Sequence, residues 1–437
     1  MLSAVIILAI AVAIYLGYKT KINTGLFCIV FAYVIGCFIM GLKPKEVIAF
    51  WPTNTMFVIL SVSLFYNVAA INGTLEKMSG SLLYACRKFP GMLPFALFAV
   101  AVILSVMGAT YFTVLAFLAP ITLVICDESR MDKVTGAVAI NCGALCGGNF
   151  PTSNLGVVFR GLADTAYEAT PELTAVDSFG MEMQIFFFSM IFSLILVAIF
   201  RYGTKENKNI GKGVVFNKPE AFTKEQSTTL TLMIAMMVVV LIFPLLKILM
   251  PGNESISYIA GKVDVGLVAV IFAVIALLMK LAPQKDAIAR IPWNTIIMIA
   301  GAGMLIAVAV KAGTIEMLSL WVGSNVPKPL IPIAFSIIAA IMSFFSSTTG
   351  VVAPALFPLI PALAASTGLS APVLFACTVL GAQSSAISPF SSGGSLILGS
   401  TPKEEDRNTL FNRLLMVAVP VSVLVCAAYN FVVAMVL

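Results

Sequence analysis

Apolar runs of membrane-spanning length recur along this chain, separated by short polar stretches. About 20 apolar residues cover the ~30 Å of bilayer hydrocarbon. Runs of that kind occupy 2–18, 23–41, 55–72, 184–201, 228–249, 264–280, 293–311 and 411–436. Two more, 135–161 and 372–399, have the length but are interrupted by Gly, Pro, Ser and Asn. The pattern predicts an all-α polytopic membrane protein with ten crossings.

Two stretches fit no simple crossing. Residues 89–126 carry no charge, and neither do residues 329–402, which include the second interrupted run. Their first parts, about 91–126 and 328–362, are each long enough to enter the bilayer and return. Each is expected to form a re-entrant hairpin, with Gly108 near the first tip. Irregular backbone at that depth survives only where protein buries it or it lines a wet cavity.

The two halves of the chain match one another. Asn54-Thr55 through Asn72-Gly73-Thr74-Leu75-Glu76 aligns without gaps to Asn294-Thr295 through Ala312-Gly313-Thr314-Ile315-Glu316, with Ile59/Ile299, Val68/Val308 and Ala69/Ala309 identical. Further along, Thr110 aligns with Thr348, Pro120 with Pro358, Gly143 with Gly381, Pro151 with Pro389, Ser153 with Ser391, Gly156 with Gly394 and Gly161 with Gly399. A nearly fixed register over so long a stretch predicts an internal repeat. Residues 1–201 form the first copy, 202–226 a linker and 227–437 the second. Five crossings per copy is an odd number, so the copies are expected to be inverted, with broken helices meeting at the midplane. Amphipathic stretches 74–88 and 314–324 are expected along the membrane interface.

Charge orients the chain. The central loop 201–226 carries Arg201, Lys205, Lys208, Lys212, Lys218 and Lys224, which marks it as cytoplasmic. Residues 162–183 hold Asp164, Glu168, Glu172, Asp177 and Glu182 with no basic residue, as an outside loop would. Both termini are then expected outside, and the first apolar run reads as a retained span, since no basic residue precedes it.

Composition agrees: 60% of the 437 residues are hydrophobic and 11% charged, against roughly 25% charged in soluble domains. Mean hydropathy is +1.04. The net charge of +6 lies in loops, and no basic run with aromatic platforms points to nucleic acid. There is no His, which removes His-based triads, zincin motifs and His proton relays. The eight Cys read as small buried thiols; Cys142 and Cys146, one turn apart, have no His to complete a mixed metal site. A membrane enzyme is therefore not expected.

An anion held at mid-membrane needs positive potential without a bare buried charge, and half-helix N-termini supply it. The first break reads Gly147-Gly148-Asn149-Phe150-Pro151-Thr152-Ser153-Asn154, the second Ser384-Ser385-Ala386-Ile387-Ser388-Pro389-Phe390-Ser391-Ser392. The hairpin tips read Gly108-Ala109-Thr110-Tyr111-Phe112-Thr113 and Ser346-Ser347-Thr348-Thr349-Gly350. Any single Ser or Thr here could serve helix packing; four polar breaks at repeat-related positions point to a site. Candidate substrate contacts are Thr110, Tyr111, Thr113, Ser153, Asn154, Thr348, Thr349, Ser391 and Ser392. Arg160 is a further candidate, either facing a carboxylate or reaching the headgroups. Candidate sodium ligands are Gly108, Asn149, Asn154, Ser346, Ser347 and Ser388.

At these residues the chain resembles the ion transporter superfamily, in particular divalent anion/sodium symporters and the bacterial dicarboxylate carriers related to malonate carriers. The Ser-Asn-Thr signature of that family's hairpin tips falls on Thr110-Tyr111-Phe112 and Thr348-Thr349-Gly350, neither of which keeps the Asn. Its Gly-Thr-Pro-Pro-Asn loop falls near Phe150-Pro151-Thr152-Ser153-Asn154 and, in the second copy, near Pro389-Phe390-Ser391-Ser392. The resemblance implies a homodimer in the bacterial inner membrane. Its scaffold part would comprise about 1–88 and 227–324, and an elevator-like transport part about 89–183 and 325–402. It also implies secondary active transport of a small dicarboxylate, such as malonate or a four-carbon acid, with sodium beside it. An antiporter or exporter of another anion is the alternative on the same fold. A channel would want a continuous polar pore.

Overall fold

The computed structural model describes residues 2–436 except 21, 52, 86–89, 171, 211–219, 251–252, 261, 292, 345–347 and 402–403. All regular structure among these is helical. The early helices are Leu2–Thr20, Thr24–Tyr33 extended by a π-helical turn to Ile39, and Thr53–Ile71. Thr74–Ala85 follows, and then Leu93–Val106 and Tyr111–Ser129 on either side of a short turn. Lys133–Gly148 and Asn154–Glu168 flank the first break, and Ser178–Gly203 completes the half.

The second half repeats that order. Lys224–Leu249 starts on a capping box, in which Thr223 and Gln226 each bond the other's backbone. Val265–Leu278, Trp293–Lys311 and Thr314–Asn325 come next. Ile331–Phe344 and a helical run beginning at Thr348 follow. Ala371–Ser384 and Ser392–Gly399 flank the second break, and Val419–Val436 closes the chain. Helices Thr53–Ile71 and Trp293–Lys311 have equal length and matching positions in the repeat, as do Thr74–Ala85 and Thr314–Asn325.

Large apolar side chains face outward in numbers no aqueous surface would carry: Leu8, Phe38, Leu278 and Met416 are 63%, 72%, 77% and 70% exposed. Lipid is the medium that covers them. By length and composition Ser178–Gly203, Thr348–Thr367 and Asp406–Met435 each suffice to cross it, and shorter apolar stretches of 10–17 residues include Leu2–Gly17, Thr24–Ile39 and Leu93–Val106.

Two expectations change. A second hairpin over about 328–362 is expected, but the helix that begins at Thr348 runs on to Thr367. Its prolines do not stop it, because Pro354, Pro358 and Pro361 each sit in the first turn of a new helical segment, where a missing N–H costs nothing. Residues 162–183 are not one outside loop. Helix Asn154–Glu168 takes their beginning and Ser178–Gly203 their end, and Glu182 is fully buried.

Packing repeats between the halves as well. Gly143 lies against the backbone of Phe98, where an added Cβ would come 2.4 Å from the Phe98 carbonyl oxygen. Gly381 lies against Ser336, where the distance would be 2.3 Å. These are the same two positions of the repeat. At each, two helices, Leu93–Val106 on Lys133–Gly148 and Ile331–Phe344 on Ala371–Ser384, are drawn together at a separation that excludes any side chain. The halves also reach into one another: Thr53–Ile71 packs on Val265–Leu278, and Trp293–Lys311 on Thr24–Tyr33.

Candidate functional site

Each break is folded by one serine. The Ser153 hydroxyl lies within hydrogen-bond reach of the Gly147, Gly148 and Phe150 carbonyl oxygens, and the Ser391 hydroxyl reaches those of Ala386 and Ser388. The last turn of a helix leaves carbonyls without partners, and these hydroxyls take them up. Pro151 and Pro389 stand just before, where the chain leaves the helix. The next half-helix then starts with free N–H groups and a positive end; Ser391 also accepts from Gly394 N at 3.3 Å.

The first hairpin turn is built similarly. Thr110 caps helix Tyr111–Ser129, accepting from Thr113 N at 3.2 Å, with the two hydroxyls 2.8 Å apart. Gly108 has φ +95, and its α-carbon faces the Tyr66 ring so closely that a Cβ would fall inside it. Tyr111 points inward, its hydroxyl donating to Asn141 Oδ1 at 2.6 Å. The same hydroxyl meets Gly393 of the second break, where an added Cβ would lie 1.8 Å away. One buried phenol thus joins a hairpin turn to both broken crossings.

These pieces enclose a cavity of about 360 Å³, at the small end of the ~300–1,000 Å³ of ligand sites. Among the residues expected to contact substrate, Thr110, Tyr111, Thr113, Asn154, Thr348, Thr349 and Ser391 line it. Ser153 does not: its hydroxyl is spent inside the break. Arg160 does not either. Its guanidinium stacks 5.4 Å from the Phe179 ring centre and donates to the Pro151 carbonyl at 3.2 Å. Ser392 is the first residue of its half-helix.

Among the sodium candidates, Asn149 is paired with Gln383 through both amide atoms. Ser388 is buried, its hydroxyl accepting from Phe390 N at 3.2 Å. Ser346 and Ser347 lie outside the described residues.

Several wall residues escape motif reasoning. Ser63 and Asn67 come from Thr53–Ile71, Ser343 from the second hairpin and Arg290 from the connector after Gln284–Ala289. A signal did exist for the first two. Ile59, Ser63, Asn67 and Ala70 follow at helical spacing, so they form one face that turns polar within an apolar crossing. Among the described residues every hydrogen-bonding wall residue is neutral except Arg290, and no Asp or Glu takes part.

Residues 1–148 match the family model for the N-terminus of the dicarboxylate carrier protein MatC. Residues 255–436 match that of a citrate transporter family. No curated protein matches significantly in sequence. Among solved structures, the YdaH transporter of Alcanivorax borkumensis superposes with a TM-score of 0.61 at 14% identity, over 89% of this chain and 86% of that one. Neisseria gonorrhoeae MtrF, described with a class of antimetabolite efflux pumps, gives 0.61 at 13% identity over 90% and 83%. The chain is a membrane transporter whose regular structure is helical throughout the described residues; its first half is similar to dicarboxylate carriers and its second to citrate transporters.

Proposed function

We propose that this protein is a secondary active transporter of a small organic dianion, a dicarboxylate such as malonate or a four-carbon acid. The observation that carries this reading is the cavity. It is lined by hydroxyls and an amide from Thr110, Thr113, Asn154, Thr348 and Thr349, stands at the positive ends of helices Tyr111–Ser129 and Asn154–Glu168, and has no carboxylate among the described residues of its wall. Donors and positive helix ends favour a negative guest; the family matches favour a carboxylate.

In this reading the halves are inverted repeats, the turn after Val106 is a re-entrant tip, and helix Ile331–Phe344 is the entering arm of a second hairpin. What supports it is length. Helices Leu93–Val106 and Ile331–Phe344 have 14 residues each, roughly 21 Å at 1.5 Å per residue, short of the ~30 Å of hydrocarbon. Sodium is the proposed co-substrate. The groups suited to it are neutral oxygens, the Asn154 amide and the carbonyls and hydroxyls around Ser388, a donor set fit for a hard monovalent ion. The working cycle is an elevator movement of about 89–183 and 325–402 against about 1–88 and 227–324, in a homodimer of the bacterial inner membrane with both termini outside.

The experiment is uptake by purified protein in proteoliposomes, with malonate or succinate under an imposed sodium gradient. Saturable uptake that collapses with the gradient is expected. Flux that never saturates, or single-channel currents in a planar bilayer, would overturn the proposal.

A further inference from the structure

We infer that Arg290 is the counter-ion for the second carboxylate of the substrate, and so makes the site select dianions over monoanions; the inference rests on the carboxylate reading above. Arg290 is the only charged residue lining the cavity among the described residues. It is the C-cap of the short helix Gln284–Ala289, in the connector between two crossings. That connector is fixed to the cavity wall, because Asn67, itself on the wall, donates from Nδ2 to the Ala287 carbonyl at 3.0 Å.

The guanidinium is uncommitted. It is exposed, and no carboxylate among the described residues is within ion-pair distance of it. An Arg at a membrane connector commonly marks sidedness or reaches the headgroups; this one borders the cavity instead. Arg160, the other basic residue near the site, is held on Phe179 and Pro151.

The cavity therefore has two kinds of anion partner. Hairpin turns and half-helix ends offer hydroxyls and N–H groups with partial positive charge. The connector offers one full charge whose planar fork matches a carboxylate bidentately. A monocarboxylate is satisfied by the first set alone, whereas a dicarboxylate uses both.

The test is competition in proteoliposome uptake, using succinate against butyrate and malonate against propionate, each pair equal in carbon number. In Arg290→Gln the KM for the dicarboxylates is expected to rise about tenfold or more, with inhibition by the monocarboxylates unchanged. Arg290→Lys is expected to recover most of the loss, and the salt dependence of dicarboxylate KM is expected to flatten in the Gln variant. An unchanged ratio of dicarboxylate to monocarboxylate affinity in Arg290→Gln overturns this inference alone, as does an equal loss for both classes. A wild-type protein that takes up neither dicarboxylate overturns the transport reading and this inference with it.

Discussion

Asn149 and Gln383 stand 234 positions apart and exchange two hydrogen bonds, Asn149 Nδ2 donating to Gln383 Oε1 at 2.9 Å and Gln383 Nε2 to Asn149 Oδ1 at 2.7 Å. Both side chains are buried. Asn149 ends the first half of one broken crossing, and Gln383 lies in the last turn of the corresponding half of the other. The two breaks that border the cavity are held in register by this amide pair.

Removing one partner leaves a buried amide unsatisfied, at about 1–3 kcal/mol. Asn149→Ala and Gln383→Ala are each expected to lower thermal stability in detergent by that much. The double variant is expected to lose less than the sum, since neither orphan then remains. Strict additivity in unfolding measurements would show that the pair is not coupled.

On the cavity wall, Asn154→Ala and Thr349→Ala are expected to raise the KM for dicarboxylate about tenfold or more each, the worth of one hydrogen bond to a charged group. Membrane insertion and oligomeric profile are expected to stay normal. Unchanged uptake in both variants would place substrate elsewhere.

Gly393→Ala forces a methyl group against the Tyr111 hydroxyl, which is already bonded to Asn141. Crowding of this kind costs about 1–3 kcal/mol, and transport is expected to fall at least tenfold. Tyr111→Phe in the same protein removes the clashing oxygen and is expected to restore part of the activity. Gly399→Ala, with nothing within 4 Å of the new Cβ, is the silent control in the same uptake assay.

Asp132 joins the two halves away from the cavity. One of its oxygens pairs with Arg413, and the other accepts from Thr135 N at 3.2 Å to cap helix Lys133–Gly148. Its side chain is 2% exposed and that of Arg413 38%. Arg413→Ala strands a buried carboxylate, at about 3 kcal/mol. Asp132→Asn keeps the cap and leaves a half-exposed Arg, at about 1 kcal/mol. Thermal unfolding of the two variants is expected to rank them in that order; the reverse order would mean the cap matters more than the ion pair.

Much of this protein is written locally. Helix ends follow from Pro and from Asn, Asp, Ser and Thr caps such as Thr110, Asp132 and Thr223, because capping bonds span only three residues. The matching of Thr53–Ile71 with Trp293–Lys311 is legible for the same reason: equal local sequence makes equal helices. Apolar length named the bilayer as solvent, since transfer free energy adds along a run.

Tertiary structure decided the rest, because a contact across 234 positions leaves no trace in periodicity. Arg160 looked suited to an anion by its nearness to a break in the sequence, yet Phe179 and Pro151 hold it away; Arg290, remote from every motif, borders the cavity. Glu182 was read as loop charge, but the start of Ser178–Gly203 buries it. The sequence alone determined what each segment is and where it breaks. Which broken ends meet, and which charge faces the space between them, depended on how helices far apart in the chain pack together.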